Sequence, residues 1–199
     1  MCIRDRLNPK SVAVIGASAD VNKTSGRPVS YLLKHGFAGA IYPVNPKASE
    51  IQGLRCYASI EELPQAPDVG LVLLSAKRSI EAVRSLAKLG CKAAVVLASG
   101  FAEAGEGGLD LQEELKAAAG SMRILGPNTI GLVNLSARIP LSASGALEIS
   151  DLPTGHVAVV SQSGGILGAL LSRAAGRGIG LSSLTVSYTH LTLPTICSV

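Results

Sequence analysis

Short apolar runs bounded by small residues recur along the chain, separated by stretches whose apolar positions fall at helical spacing. Ser11-Val-Ala-Val-Ile-Gly16 shows no alternation of polar and apolar positions and ends in glycine, the pattern of a strand buried on both faces of a parallel sheet. Ala40-Ile-Tyr-Pro-Val44, Val69-Gly-Leu-Val-Leu-Leu74, Ala93-Ala-Val-Val-Leu-Ala98 and Met122-Arg-Ile-Leu125 repeat it. From Lys77 to Leu89, Glu81, Arg84 and Lys88 share one face while Val83, Leu86 and Ala87 can pack inward, and Gly90 supplies the stop. From Leu109 to Ala119, Leu111, Leu115 and Ala118 recur at helical spacing, with Asp110, Glu113 and Glu114 near the end where carboxylates suit the helix dipole. Strand and helix therefore alternate. Right-handed crossovers turn that alternation into a doubly wound α/β sheet whose ligand crevice lies at the carboxyl ends of its strands.

After Leu135 the pattern lapses into Ser, Ala and Pro, then restarts at His156-Val-Ala-Val-Val160 with a helix from about Gly164. The expected organisation is a first domain over 7–135, a connection over 136–154 and the truncated start of a second α/β domain over 155–186. One strand and one helix cannot cover the apolar helix face of Leu167, Leu170, Leu171 and Ala174, so exposed apolar surface is expected there. The ends 1–6 and 187–199 fit no element. Both are expected to be non-native sequence of the adapter read-through kind, with a natural disordered tail as the alternative.

Composition narrows the class of protein. At 47% hydrophobic and 16% charged residues the chain is neither disordered nor low in complexity. No apolar run is long enough to span a membrane and no leader pattern is present, so a soluble, cytoplasmic protein is expected, without a membrane partner. Cys2, Cys56, Cys91 and Cys197 lack the spacing of a zinc site or a disulfide framework. The net charge of +4 comes from scattered Lys and Arg without aromatic interleaving, which argues against nucleic acid.

Four loops carry candidate chemistry. Gly16-Ala-Ser-Ala-Asp20 follows the first strand, where glycine permits a tight bend and free N–H groups near the next helix can receive a phosphate. It is not GxGxxG, and the second strand ends in Asn45-Pro46-Lys47 where a dinucleotide site wants an acid for the ribose. A cation suits a phosphorylated ribose, which leaves NADP and coenzyme A; a plain glycine turn beside a solvated lysine is the alternative. Ala98-Ser-Gly100 ends the fourth strand with residues small enough for a ligand to approach the backbone, and the glycine-rich stretch to Gly108 is either a flap or a surface loop. Gly126-Pro-Asn-Thr-Ile-Gly131 is a rigid turn presenting an amide. Ser161-Gln-Ser-Gly-Gly165 lies between a buried strand and a helix N-terminus, where hydroxyls and unpaired N–H groups favour an anion, or where serine simply caps the helix.

Taken in order, Val14-Ile-Gly-Ala-Ser18, Tyr42-Pro-Val-Asn-Pro-Lys47, Ser99-Gly-Phe-Ala-Glu-Ala-Gly105, Gly126-Pro-Asn128 with Gly131, and Val160-Ser-Gln-Ser-Gly164 resemble the CoA-binding subunit of NDP-forming acyl-CoA synthetases. That family includes ADP-forming acetate–CoA ligase and is related to the α subunit of succinyl-CoA synthetase. The resemblance covers about residues 8–185. It implies a Rossmann-like CoA-binding domain followed by a flavodoxin-like ligase domain. It also implies that Gly16 and Ser18 lie at the CoA phosphates, that Lys47 meets a CoA phosphate, that Ser99 and Gly100 line the cofactor groove, and that Ser161, Ser163 and Gly164 face a phosphohistidine site. Two positions depart from the family pattern: Ser75-Ala-Lys77 stands where relatives often have Pro-Ala-Pro, and Thr129 where Cys is frequent.

The implied reaction joins a small carboxylic acid and CoA at the expense of ATP, through an acyl phosphate and a phosphorylated histidine that separates acyl from nucleotide chemistry. Neither His35 nor His156 matches that histidine; both are expected to be structural. ATP or ADP, and Mg, would be handled by an ATP-grasp subunit or fused domain. The chain is thus expected to bind CoA without turning over alone. A CoA-binding module of a regulatory acyltransferase is the alternative from another class, and an NADP-dependent reductase is a third reading that lacks any hydride-transfer constellation.

Overall fold

A computed structural model describes residues 8–186, and the two expected non-native ends, 1–6 and 187–199, lie outside the described residues. The first strand, β1 (Ser11–Ile15), is buried at every position, as its unbroken apolar run requires. It sits inside a five-stranded sheet with β2 (Ala40–Val44), β5 (Val69–Val72), β6 (Ala93–Val96) and β7 (Arg123–Leu125), in the order β2-β1-β5-β6-β7. All four pairings are parallel. A two-residue hairpin, β3 (Glu50–Ile51) with β4 (Leu54–Arg55), lies between β2 and β5 in sequence.

Three helices connect these strands: α1 (Arg27–Lys34), α2 (Ala76–Leu89) and α3 (Glu106–Ala119). Successive side chains of β1 serve opposite faces, as the two-residue period of a strand demands. Ala13 and Ile15 join Val83 and Leu86 of α2 and Leu115 of α3 in one core. Val12 and Val14 join Val29 and Leu32 of α1 in the other. Val83 and Leu86 are fully buried, as the helical spacing predicts, and Gly90 ends α2 in the left-handed conformation.

The second layer departs from expectation. Residues 136–154, read as a connection, contain β9 (Ile139–Ser142), which pairs antiparallel with β8 (Gly131–Asn134), followed by a 3-10 turn at Gly145–Glu148. Ile139 and Leu141 are buried in the same core as α1, and Leu147 in a third cluster. The hairpin therefore covers a face of the parallel sheet while belonging to another sheet, of order β10-β11-β8-β9, with β10 (Thr154–Ser161) and β11 (Leu181–Val186). The short Ile-Pro-Leu run is hard to recognise because proline is tolerated in sheets mainly on edge strands, and β9 is one.

The helix α4 (Gly164–Ala175) is likewise better covered than its isolation in sequence suggests. Leu167 and Leu171 are 3% and 4% exposed, packed in a cluster with Leu147, Leu184 and Val186. Leu170 is exposed as expected, and with Ile166 of α4 and Val157 and Val160 of β10 it leaves apolar side chains at the surface. Among the described residues no helix is long and apolar enough to cross a membrane.

Candidate functional site

The carboxyl ends of β1, β2 and β5 meet at a cleft, as the doubly wound topology dictates. Gly16 leaves β1 at φ +85°, and a Cβ there would lie 2.8 Å from Leu74 Cδ2 and 3.2 Å from the Leu73 carbonyl oxygen. Only glycine combines that left-handed backbone with so close an approach. The Gly16 amide donates to the Val44 carbonyl at 2.9 Å, which holds the ends of β1 and β2 together. Asn45 locks the junction further: its side-chain amide donates to the Ala17 carbonyl at 2.7 Å, and its side-chain oxygen accepts from the Lys47 amide at 2.9 Å. The Lys47 backbone is thereby fixed while its side chain remains exposed.

The cleft has a volume of about 490 Å³. Gly16 and Lys47 line it, together with Arg78, Glu81 and Ser85 from α2 and Glu61 from the segment after β4. Lys47 and Arg78 form none of the ion pairs found among the described residues. Two cations without a protein counter-ion at the mouth of a cleft suit an anionic ligand. Glu61 is held below the usual carboxylate range, chiefly by the Ser85 hydroxyl and then by its own backbone and the Ser59 hydroxyl.

The other candidate residues are distributed along the same edge. Ser18 does not line the cleft; its hydroxyl accepts from the Asp20 amide at 3.1 Å and shapes the loop leading to α1. Ser99 and Gly100 follow β6, and the Gly100 amide donates to Glu103 at 2.6 Å. A Cβ on Gly100 would stand 3.8 Å from Ala76 Cβ, so this loop abuts the first turn of α2. Beyond it lies a second cleft of about 460 Å³, lined by Glu103, Lys116, Pro127 and Asn128 among others. The Asn128 amide donates to the Ala98 carbonyl at 2.7 Å, tying the Gly126–Gly131 turn to the end of β6. Gly126–Pro127 is a cis peptide bond.

Ser163 caps α4, its hydroxyl accepting from the Ile166 amide at 3.3 Å, while the Ser161 hydroxyl accepts from the Ser163 amide at 3.0 Å. Gly164 packs so closely on Ile130 that a Cβ would meet it at 3.0 Å. The turn at Ser161–Gly164 thus stands beside the Gly126–Gly131 loop but apart from the cleft at Lys47, and its two hydroxyls are engaged in capping. His35 donates from Nε2 to the Leu147 carbonyl at 2.9 Å, and His156 is exposed near the start of β10.

Sequence reasoning missed Arg78 and Glu61. Arg78, Glu81, Ala82 and Ser85 recur at i, i+3, i+4 and i+7, a stripe along α2 that lines the cleft. That spacing is the signal that was available. Glu81, expected on one polar face with Arg84 and Lys88, belongs to this stripe, whereas Arg84 pairs with Glu114 of α3 at 3.3 Å.

A parallel doubly wound sheet with a glycine turn after its first strand, and two cations outside every ion pair found among the described residues, defines an α/β domain with a cationic cleft at its strand ends. Comparison with known proteins gives the family. Residues 10–134 match the family described as CoA binding domain, and the chain belongs to it. The chain is 39% identical over 180 residues to trans-feruloyl-CoA synthase FCS1 of an unknown prokaryotic organism, covering 89% of this chain and 26% of that protein. It is 35% identical over 190 residues to the α subunit of acetate–CoA ligase [ADP-forming] I of Pyrococcus furiosus, covering 92% of this chain and 40% of the subunit. Among solved structures, the apo form of the dinucleotide forming acetyl-coenzyme A synthetase 1 of Ca. Korarchaeum cryptofilum superposes with a TM-score of 0.86 at 35% identity, covering 93% of this chain and 40% of that one. The chain therefore spans between a quarter and two fifths of these relatives. The sequence resemblance to NDP-forming acyl-CoA synthetases is borne out, and so is the Rossmann-like fold.

Proposed function

We propose that this chain is the CoA-binding portion of an ADP-forming acyl-CoA ligase and that it holds CoA in the cleft at the carboxyl ends of β1, β2 and β5. The observation that carries this reading is the pair of cations, Lys47 and Arg78, outside every ion pair found among the described residues, in a cleft that opens at the Gly16 turn. In this reading Lys47 meets the ribose phosphate, the backbone at Gly16 and Ser18 approaches the diphosphate, and the thiol arm runs past Ser99 and Gly100. The β10–α4–β11 unit is then the beginning of a flavodoxin-like ligase domain, and Ser161, Ser163 and Gly164 at the start of α4 face the phosphorylated histidine. ATP or ADP with Mg, and a small carboxylic acid, belong to the reaction of the whole ligase, with an ATP-grasp subunit or domain as partner in the cytoplasm.

What these residues contribute is binding and orientation. The glycine at position 16 leaves room for a phosphate that no side chain crowds, and the cations offset its charge. Calorimetry on the 199-residue chain with CoA and with NADPH tests the reading. Saturable heat with CoA and none with NADPH is expected. Saturation by NADPH alone overturns it, because a lysine after the second strand also suits the phosphorylated ribose of NADP.

A further inference from the structure

The two cations of the cleft come from opposite sides of β1. The chain leaves β1 through α1 to β2 on one side and returns to β5 on the other, and α1 and α2 pack on opposite faces of the sheet. A crevice opens outside the strand ends at such a reversal of strand order. Lys47 follows β2, and Arg78, in the first turn of α2, follows β5. Two strand spacings, about 10 Å, therefore separate the strands that lead to them, with Gly16 between. The fully buried Ser79 hydroxyl donates to the Leu74 carbonyl at 3.1 Å, and the Leu74 side chain lies against Gly16. The backbone that carries Arg78 is thereby held beside the glycine turn. Arg78 is also an unfavourable residue for its position. The first turn of α2 holds Lys77 and Arg78 and no acidic residue, although the positive end of the helix dipole lies there. Arg78 enters none of the ion pairs and none of the side-chain hydrogen bonds found among the described residues. Lys77 shares the turn but does not line the cleft, whereas Arg78 does. A residue that opposes the preference of its own helix, yet faces a cleft, marks a functional position.

We infer that Arg78 is a specificity-determining residue that clasps the diphosphate of CoA, while Lys47 takes the ribose phosphate. This rests on the cleft being the CoA site. CoA carries two separate anionic centres, and the cleft offers one cation on each side of Gly16. The two side chains differ in a way that assigns them. A guanidinium presents a planar fork of N–H donors that bridges oxygens of adjacent phosphoryl groups, whereas an ammonium is a point charge suited to a lone phosphate. Glycine at position 16 keeps a side chain out of the space between them. Arg78 thus recognises any ligand with the diphosphate, with or without a ribose phosphate, and Lys47 separates the ligands that carry the ribose phosphate from those that lack it.

The test is calorimetry with CoA and dephospho-CoA on the 199-residue chain and on its Arg78→Ala, Arg78→Lys, Lys47→Ala and Lys77→Ala variants. Arg78→Ala is expected to weaken both ligands equally, on the order of ten-fold for a bidentate charged contact at an exposed position, and by less at raised salt. Lys47→Ala weakens CoA alone. Arg78→Lys recovers part of the loss, because the charge returns without the fork. Lys77→Ala leaves both affinities unchanged, since Lys77 lies outside the cleft lining. Without ligand, Arg78→Ala melts at the wild-type temperature or above it, because the substitution breaks no ion pair and removes a cation from the positive end of α2. A merely structural arginine would lower the melting temperature instead. An unchanged affinity of Arg78→Ala for dephospho-CoA overturns the inference, as do a loss that salt does not reduce, an equal loss in Lys77→Ala, and a lowered melting temperature of ligand-free Arg78→Ala. In those cases the wild type still binds CoA and the proposed function stands. Absence of CoA binding by the wild type overturns the proposed function, and the inference with it.

Discussion

Replacing Lys47 by Ala isolates one phosphate of the ligand. The substitution removes the ammonium group and leaves the backbone as it is, because the contact that fixes residue 47 runs from its amide to Asn45 Oδ1 at 2.9 Å and survives in alanine. A charge-assisted hydrogen bond contributes about 1.5–3 kcal/mol when shielded from water. Lys47 is exposed, so screening reduces its share to about 1 kcal/mol, or roughly five-fold in affinity. Dephospho-CoA lacks the ribose phosphate. Its affinity should therefore be unchanged by the substitution, while that of CoA falls to nearly the same level. Calorimetric titration of both ligands at low and at raised ionic strength measures this directly, and the difference between wild type and variant should shrink as salt screens the pair. Equal losses for CoA and dephospho-CoA would remove Lys47 from the ribose phosphate. A loss independent of salt would remove charge from the explanation altogether.

Gly16→Ala places a Cβ 2.8 Å from Leu74 on a backbone at φ +85°, and should cost about 1–2 kcal/mol of stability, read as a lowered urea midpoint, together with weaker CoA binding. Leu147→Ala empties a fully buried position in the cluster shared by the 3-10 turn, α4 and β11, and should destabilise by about 2–4 kcal/mol in thermal melting while leaving the Lys47 cleft intact. Burial acts to raise the pKa of Asp68, but the Lys92 ammonium at 2.8 Å and bonds from Lys10 and Ser11 outweigh it and lower the value below 3.8. The charged form is thus favoured in the folded state, so its contribution is present above pH 3.8 and is lost as pH falls through the depressed value. Asp68→Asn should flatten that acid limb in a melting series against pH; an unchanged limb would show that Asp68 does not carry it.

The parallel sheet was legible because its inner strands are buried on both faces, which forces unbroken apolar runs such as Val12–Ile15 and Val69–Val72. Edge strands give a weaker signal. Both β2 and β9 carry a proline, Pro43 and Pro140, and both lie at the edge of their sheets. For β2 the flanking Gly16 turn and Asn45-Pro46-Lys47 supplied context. For β9 the neighbouring Ser and Ala residues imitated a connection, and the burial of Ile139 and Leu141 depends on α1, more than a hundred residues earlier in the chain.

The same distinction governs the site. Gly16 and Lys47 end strands whose positions were legible, so their convergence followed from topology alone. Arg78 and Glu61 could be placed only once the segment after β4 was seen to lie against α2. A polar side chain that lines a cleft and one that faces open water produce the same hydropathy pattern, and the stripe Arg78, Glu81, Ser85 reads as a solvated helix face until something is known to stand opposite it. Glu61 supplies that opposite wall: it lines the same cleft as Ser85 of α2. The cleft thus owes its glycine turn and its first cation to strand ends, which sequence periodicity reveals. Its second cation and the Glu61 carboxylate come from a helix side and an irregular segment brought together by packing.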